Sequence, residues 1–368
     1  MSRRNLLTGA LVTATLAAAL LTTAGCSAND DDAVASSADR GTVGVALPTK
    51  TSTRWIADGD NMVKQFELLG YKIDMQYADN VVADQVSQLD AMIERGDKAL
   101  VVSAVDGSAL KDVLAKAAAK HIPVIAYDRL IRDSPNVDYY ASFDNFKVGV
   151  LQAGYIVDAL GLNHGKKGPY TIELFAGSSD DNNATLFFNG SKSVLQPYIS
   201  SGTLEVKSGQ TSFAKVSTQR WDAAVAKARM QRLLSGPLAS DRLDAVLSPY
   251  DGISRGIIDA LKAAGYGGAK KMPIVTGQDA ELDSVKLMIA GVQRQTVYKD
   301  TRELAKVAVQ MVNSLLAGGE PDVNDTTQYN NGIKTVPSFL LQPIGVDKSN
   351  YRRILIDGGY YTAAQIDA

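Results

Sequence analysis

The sequence predicts an α/β protein of two lobes, each a doubly wound parallel sheet. Three observations carry this. Short apolar runs alternate with amphipathic helical stretches through most of the chain, and such alternation implies parallel strands joined by right-handed crossovers. The alternation runs as far as Asp128-Arg129 and restarts after Phe143. With 368 residues, the chain is long enough for two domains of ordinary size.

The elements follow in order. Residues 43–47 read as the first strand. Residues 55–69 read as a helix stopped by Gly70, a residue that takes the left-handed turn a helix end needs. Residues 71–77 alternate as a strand. Val82, Val86, Leu89 and Ile93 then share one helix face. A strand at 99–102 and a helix through Leu110, Val113, Leu114 and Ala117 lead to the apolar run 124–127. After the strand 139–143 the pattern repeats. Strands are expected at 170–175, 203–206, 245–247, 274–276 and 296–298. Helices are expected through 148–160, 184–195, 223–234, 253–261, 282–290 and 304–315.

In open α/β sheets, ligands sit beyond the carboxyl ends of the strands. Polar residues cluster at those points here. Arg54 and Trp55 follow the first strand, and Asp128 and Arg129 break the run 124–127. Asn182 and Asn183 follow 170–175, and Tyr250 and Asp251 follow 245–247. Gln278 and Asp279 follow 274–276, and Lys299 follows 296–298. Trp221, like Trp55, stands directly after an arginine. Carboxylates only accept hydrogen bonds, Arg and Lys only donate, and amides do both. Together with aromatic rings for apolar faces, that is the set a sugar requires. Asp251 and one of Asn182 and Asn183 also suit helix N-caps.

Other classes fit poorly. A net charge of −2 gives no basic excess for nucleic acid. The single cysteine and two histidines, His121 and His164, leave no metal-ligand cluster and call for no cofactor. No Gly-x-Ser-x-Gly, His-Glu-x-x-His or phosphate-loop motif occurs. The candidate acids have basic or amide neighbours that favour the ionised state. A glycosidase needs one of its two carboxyls protonated.

The first residues read as an export signal. Arg3 and Arg4 precede an apolar stretch, 6–21, too short for a comfortable membrane span. The arginine pair suits either a general or a twin-arginine export route. Leu21-Thr-Thr-Ala-Gly-Cys26 resembles the bacterial lipobox, which implies cleavage after residue 25 and lipid on Cys26. Residues 26–40, rich in Ser, Ala, Asn and Asp, read as a flexible tether.

Six motifs occur in order: Arg54-Trp55, Val124-Ile-Ala-Tyr-Asp-Arg129, Asp181-Asn-Asn-Ala184, residues 245–251, Thr276-Gly-Gln-Asp-Ala280 and Val297-Tyr-Lys299. Together they resemble bacterial ABC-transporter substrate-binding proteins for monosaccharides, of the xylose-binding and multiple-sugar branch. The resemblance implies a type I periplasmic-binding fold, with two lobes joined by three hinge crossovers. These are expected near 142–143, 298–299 and 327–331. The first lobe would be 41–142 plus 299–328, and the second 143–298 plus 329–368. Arg54, Asp128, Arg129, Asn183, Asp279 and Lys299 would bond a monosaccharide of xylose, glucose, galactose or arabinose type. Trp55 and Trp221 would cover its ring. Tyr250 stands where many relatives carry Asn, so either it or Asp251 would take that contact. The resemblance further implies a monomer and an ABC permease as partner. Membrane attachment through Cys26 would lie at the outer face of the cytoplasmic membrane. A sensor presenting its closed form to a signalling receptor is the alternative.

Overall fold

A computed structural model describes residues 40–368. The expected leader, Cys26 and all of the tether but Arg40 lie outside the described residues. The first sheet runs in the order β2 (Lys72–Tyr77), β1 (Thr42–Leu47), β3 (Leu100–Val102), β4 (Val124–Tyr127), β5 (Tyr139–Phe143), with the late strand Ser338–Leu341 at its edge. Every pairing in it is parallel. Helices cover both faces, so β3 and β4 are buried throughout and read as unbroken apolar runs. Leu89, Met92 and Ile93 of the helix Val82–Arg95 pack on one face, with Val113 and Leu114 of Lys111–Ala119. Met62 and Phe66 of Thr53–Leu68 pack on the other, with Leu304 and Val312 of Thr301–Leu316.

The second sheet repeats the winding in the order β7 (Leu204–Glu205), β6 (Tyr170–Leu174), β8 (Ala245–Leu247), β9 (Ile274–Val275). It extends past β9. Val297 of β10 (Gln295–Tyr298) donates its N–H to Gly277 O at 3.0 Å, and Asp279 N–H returns to Val297 O at 2.8 Å. The Ser338–Leu341 strand is β11, and β12 (Ile344–Asp347) pairs antiparallel with β10.

The chain therefore passes between the sheets at Asp144, at Lys299-Asp300 and at Gln342-Pro343. The third passage differs from the expectation near 327–331. Tyr329 packs into the first core, and Asn331 Nδ2 donates to Ser134 O at 2.8 Å. β11 then adds to β5, so 329–341 stay with the first sheet. Four residues of alternating burial preceded by Pro337 carry little strand signal. The partner strand β5 supplies what their own pattern lacks. In each sheet the strand order reverses beside one strand, β1 in the first and β6 in the second, and the crevice for a ligand opens at that point.

Candidate functional site

The carboxyl ends of both sheets border one cavity of about 400 Å³. On the first-sheet side its floor is ionic. Arg54 stands in the first turn after β1 and is buried. Its Nη2 lies 2.6 Å from Asp128 Oδ2, and its Nε lies 3.1 Å from Asp58 Oδ2, one helical turn on. Burial pushes the Asp58 carboxyl up to about 7 against the pull of Arg54, while the Tyr127 hydroxyl donates to it. Burial would raise Asp128 as well. Arg54 and then Lys299 outweigh it and hold that carboxyl well below the usual range. Lys299, 2 % exposed, places Nζ 3.2 Å from Asp279 Oδ1 and 3.5 Å from Asp128 Oδ2. Arg129 donates to Ala104 O at 3.0 Å and pairs through Nε with Asp181 across the cleft at 3.1 Å. The guanidinium carbons of Arg54 and Arg129 lie 4.8 and 5.3 Å from the Trp55 ring centroid.

The second-sheet side is aromatic and amide. Asp181 caps the helix Asn182–Ser200, and the cap orients Asn183 into the cavity. Asn183 Nδ2 donates to Asp128 O at 2.8 Å, and Tyr140 donates to Asn183 Oδ1 at 3.1 Å. Trp221 lies against Gly177, where a Cβ would come within 2.0 Å of its Cη2, so no side chain fits there. Its ring stands edge-on to Phe187 and Tyr250 at 6.2 and 6.1 Å. The Tyr250 hydroxyl donates to Glu281 Oε1 at 2.8 Å. Ser52 Oγ donates to the same oxygen from the first-sheet side at 3.0 Å, and Arg255 Nη2 lies 2.6 Å from Glu281 Oε2.

Two further observations mark this cavity. Nine non-glycine residues among those described have positive φ, and six line it: Asp79, Asn80, Asp128, Arg220, Trp221 and Asp279. Such conformations cost energy and concentrate at functional sites. In addition, Trp221 Nε1 and Gln278 Oε1 are buried with no hydrogen-bond partner. A donor and an acceptor left so are costly unless a ligand satisfies them.

Of the residues expected from sequence, Arg54, Trp55, Asp128, Arg129, Asn183, Trp221, Tyr250, Gln278, Asp279 and Lys299 line the cavity. Two do not. Asn182 starts its helix one residue before Asn183 and points elsewhere; a step of about 100° around a helix separates neighbours. Asp251 is wholly buried behind the cavity wall. It accepts from Glu281 N–H at 2.9 Å, Gln293 Nε2 at 2.7 Å and Thr296 Oγ1 at 3.0 Å, and burial, with Glu281 nearby, pushes its carboxyl up. Tyr250, not Asp251, takes the N-cap position. Asp181, Phe187, Arg255 and Glu281 were missed. Asp181 stands beside Asn182 and Glu281 two residues past Asp279, and what marks them is the cleft-spanning contacts they make in the fold, to Arg129 and to Ser52 and Tyr250. Among the described residues no group of three His, Cys, Asp or Glu could hold a metal ion, and no helix is long and apolar enough to cross a membrane.

Comparison with known proteins matches this geometry. Residues 43–320 fit the periplasmic binding protein domain. The chain is 60% identical over 335 residues to the multiple sugar-binding periplasmic receptor ChvE of Rhizobium radiobacter, covering 91% of this chain and 94% of that one. It is 38% identical over 333 residues to the D-xylose-binding periplasmic protein of Escherichia coli, covering 90% and 94%. A crystal structure of an ABC transporter solute binding protein from Clostridium phytofermentans with bound β-D-glucose superposes with a TM-score of 0.85 at 47% identity, over 88% of this chain and 99% of that one. The chain belongs to the periplasmic binding protein family and has its type I fold.

Proposed function

We propose that this protein captures a monosaccharide between its lobes and delivers it to an ABC importer, performing no chemistry on the sugar. The observation that carries the reading is the composition of the cavity. It joins fixed acceptors and donors (Asp128, Asp279, Arg54, Lys299), amides (Asn183, Gln278), two tryptophans and the buried unpartnered atoms of Trp221 and Gln278. Hydroxyls that donate and accept, set on a ring with apolar faces, answer each of these groups. The sugar-binding names of ChvE and the xylose-binding protein, and the glucose in the related crystal structure, support it.

Each lobe moves as a body about the three crossovers. The sugar selects the closed form, because only there do both walls reach it. The permease reads that form. Lipid on Cys26 holds the receptor, a monomer, at the outer face of the cytoplasmic membrane. A thermal-shift panel of common pentoses and hexoses tests the capture step, since a ligand of the native state raises its melting point. Stabilisation by one or a few monosaccharides is expected; no shift with any would overturn the assignment. For the anchor, Cys26→Ala should move the protein from the membrane fraction to the medium.

A further inference from the structure

A second cavity of about 330 Å³ adjoins the first. Asn80, Arg129, Arg220 and Trp221 line both and form the neck between them. Arg220 and Trp221 hold consecutive left-handed conformations, with φ +55° and +56°. Ser178 Oγ accepts Arg220 N–H at 2.8 Å and fixes the turn. This costly backbone places the indole, with its unpartnered Nε1, at the boundary of the two chambers.

The wall beyond the neck is mixed. Asp180 accepts, Gln219 does both, Arg220 donates, and Val82 adds an apolar surface. Gln219 and Arg220 are exposed and Asp180 is half-buried, so their side chains, which bond no described residue, are hydrated and free to turn toward a hydroxyl. The carboxylates of Asp106 and Asp180 are matched by the guanidiniums of Arg129 and Arg220 in the same chamber, so its lining has no net charge to draw a phosphate or an acidic group. Neutral hydroxyls suit it.

We propose that the second chamber receives a second sugar unit, so that the protein takes a neutral disaccharide as well as a monosaccharide. This rests on the monosaccharide reading of the first cavity, and the test separates the two. The full-chain protein is titrated calorimetrically with D-glucose and D-xylose, then with cellobiose, maltose, gentiobiose and xylobiose. The same titrations are made on Gln219→Trp, which fills the second chamber, and on Asp180→Ala. At least one disaccharide should bind wild type within about tenfold of its monosaccharide. Gln219→Trp should weaken it about tenfold or more and Asp180→Ala about threefold to tenfold, while the monosaccharide changes by less than about twofold. A monosaccharide that binds when no disaccharide does overturns the second chamber and leaves the first reading standing. So does disaccharide binding that neither substitution weakens. Binding of no saccharide at all overturns the monosaccharide reading itself, and the second chamber with it.

Discussion

The two walls of the cavity are built on different principles. The first-sheet wall is charged, and its ions are paired within the wall and across the cleft: Arg54 touches Asp58 and Asp128 on its own side and Asp279 on the other. The second-sheet wall is aromatic and amide, rests on strained turns and keeps unspent polar atoms at Trp221 and Gln278. The first is a preorganised cradle whose charges hardly move when a sugar arrives, so little is lost to reordering. The second supplies area and unused hydrogen-bonding capacity, so its share of the energy appears only on closure. Substitutions in the first wall should therefore cost stability and binding together, and those in the second should cost binding alone.

The sharpest break of that contrast is Arg54→Ala. It leaves buried Asp58 and Asp128 without their main cation and should destabilise the fold by about 3–5 kcal/mol, abolishing sugar binding as well. Denaturant unfolding and calorimetry read the two losses, and wild-type stability in the variant would show that the first wall is no coupled network. Trp221→Ala should weaken sugar binding about 10–100-fold with the ligand-free melting point nearly unchanged; a large drop in that melting point would make Trp221 a core residue. Asn183→Ala removes the bond from the second wall to Asp128 O and should weaken binding by about tenfold. Tyr250→Phe should change affinity by no more than about threefold, because the hydroxyl is spent on Glu281. A larger loss in titration would put that hydroxyl on the sugar.

The smallest effect is one of pH. Asp58, raised to about 7 in the folded protein, keeps a proton that the unfolded chain releases near pH 4. Its contribution to stability is complete below about pH 4 and is lost as pH rises through about 7. Asp128, depressed in the fold, contributes above about pH 4 and loses that contribution as pH falls through its folded value. Melting curves of Asp58→Asn should be flatter than wild type between pH 4 and 7 and should retain the loss at lower pH. An identical slope in both proteins would assign the pH dependence elsewhere.

The arrangement of strands and helices was legible because it rests on local periodicity. β1 and β4 are apolar on both faces, and the helix Thr53–Leu68 repeats its buried residues at helical spacing. Nine of the ten cavity residues were legible for a related reason: they come in the loops and helix starts after buried strands, and chain direction alone brings strand ends together in a doubly wound sheet, whereas Trp221 was marked only by the arginine before it. Asp58, one helical turn after Arg54, was not singled out from the sequence, and only the fold shows it paired with that guanidinium. β11 was not legible, because an edge strand of four residues owes its form to β5, nearly 200 residues earlier in the chain. Sequence by itself determined the fold class, the crevice at the strand ends and the chemistry gathered there. Only the tertiary structure decided that Asn183 and not Asn182 enters the cavity, that Asp251 turns behind the wall, and that Glu281 joins Ser52 to Tyr250. Composition and period identify what a segment carries. Which of two adjacent side chains faces the ligand depends on the rotation of each element, and packing against distant residues sets that rotation.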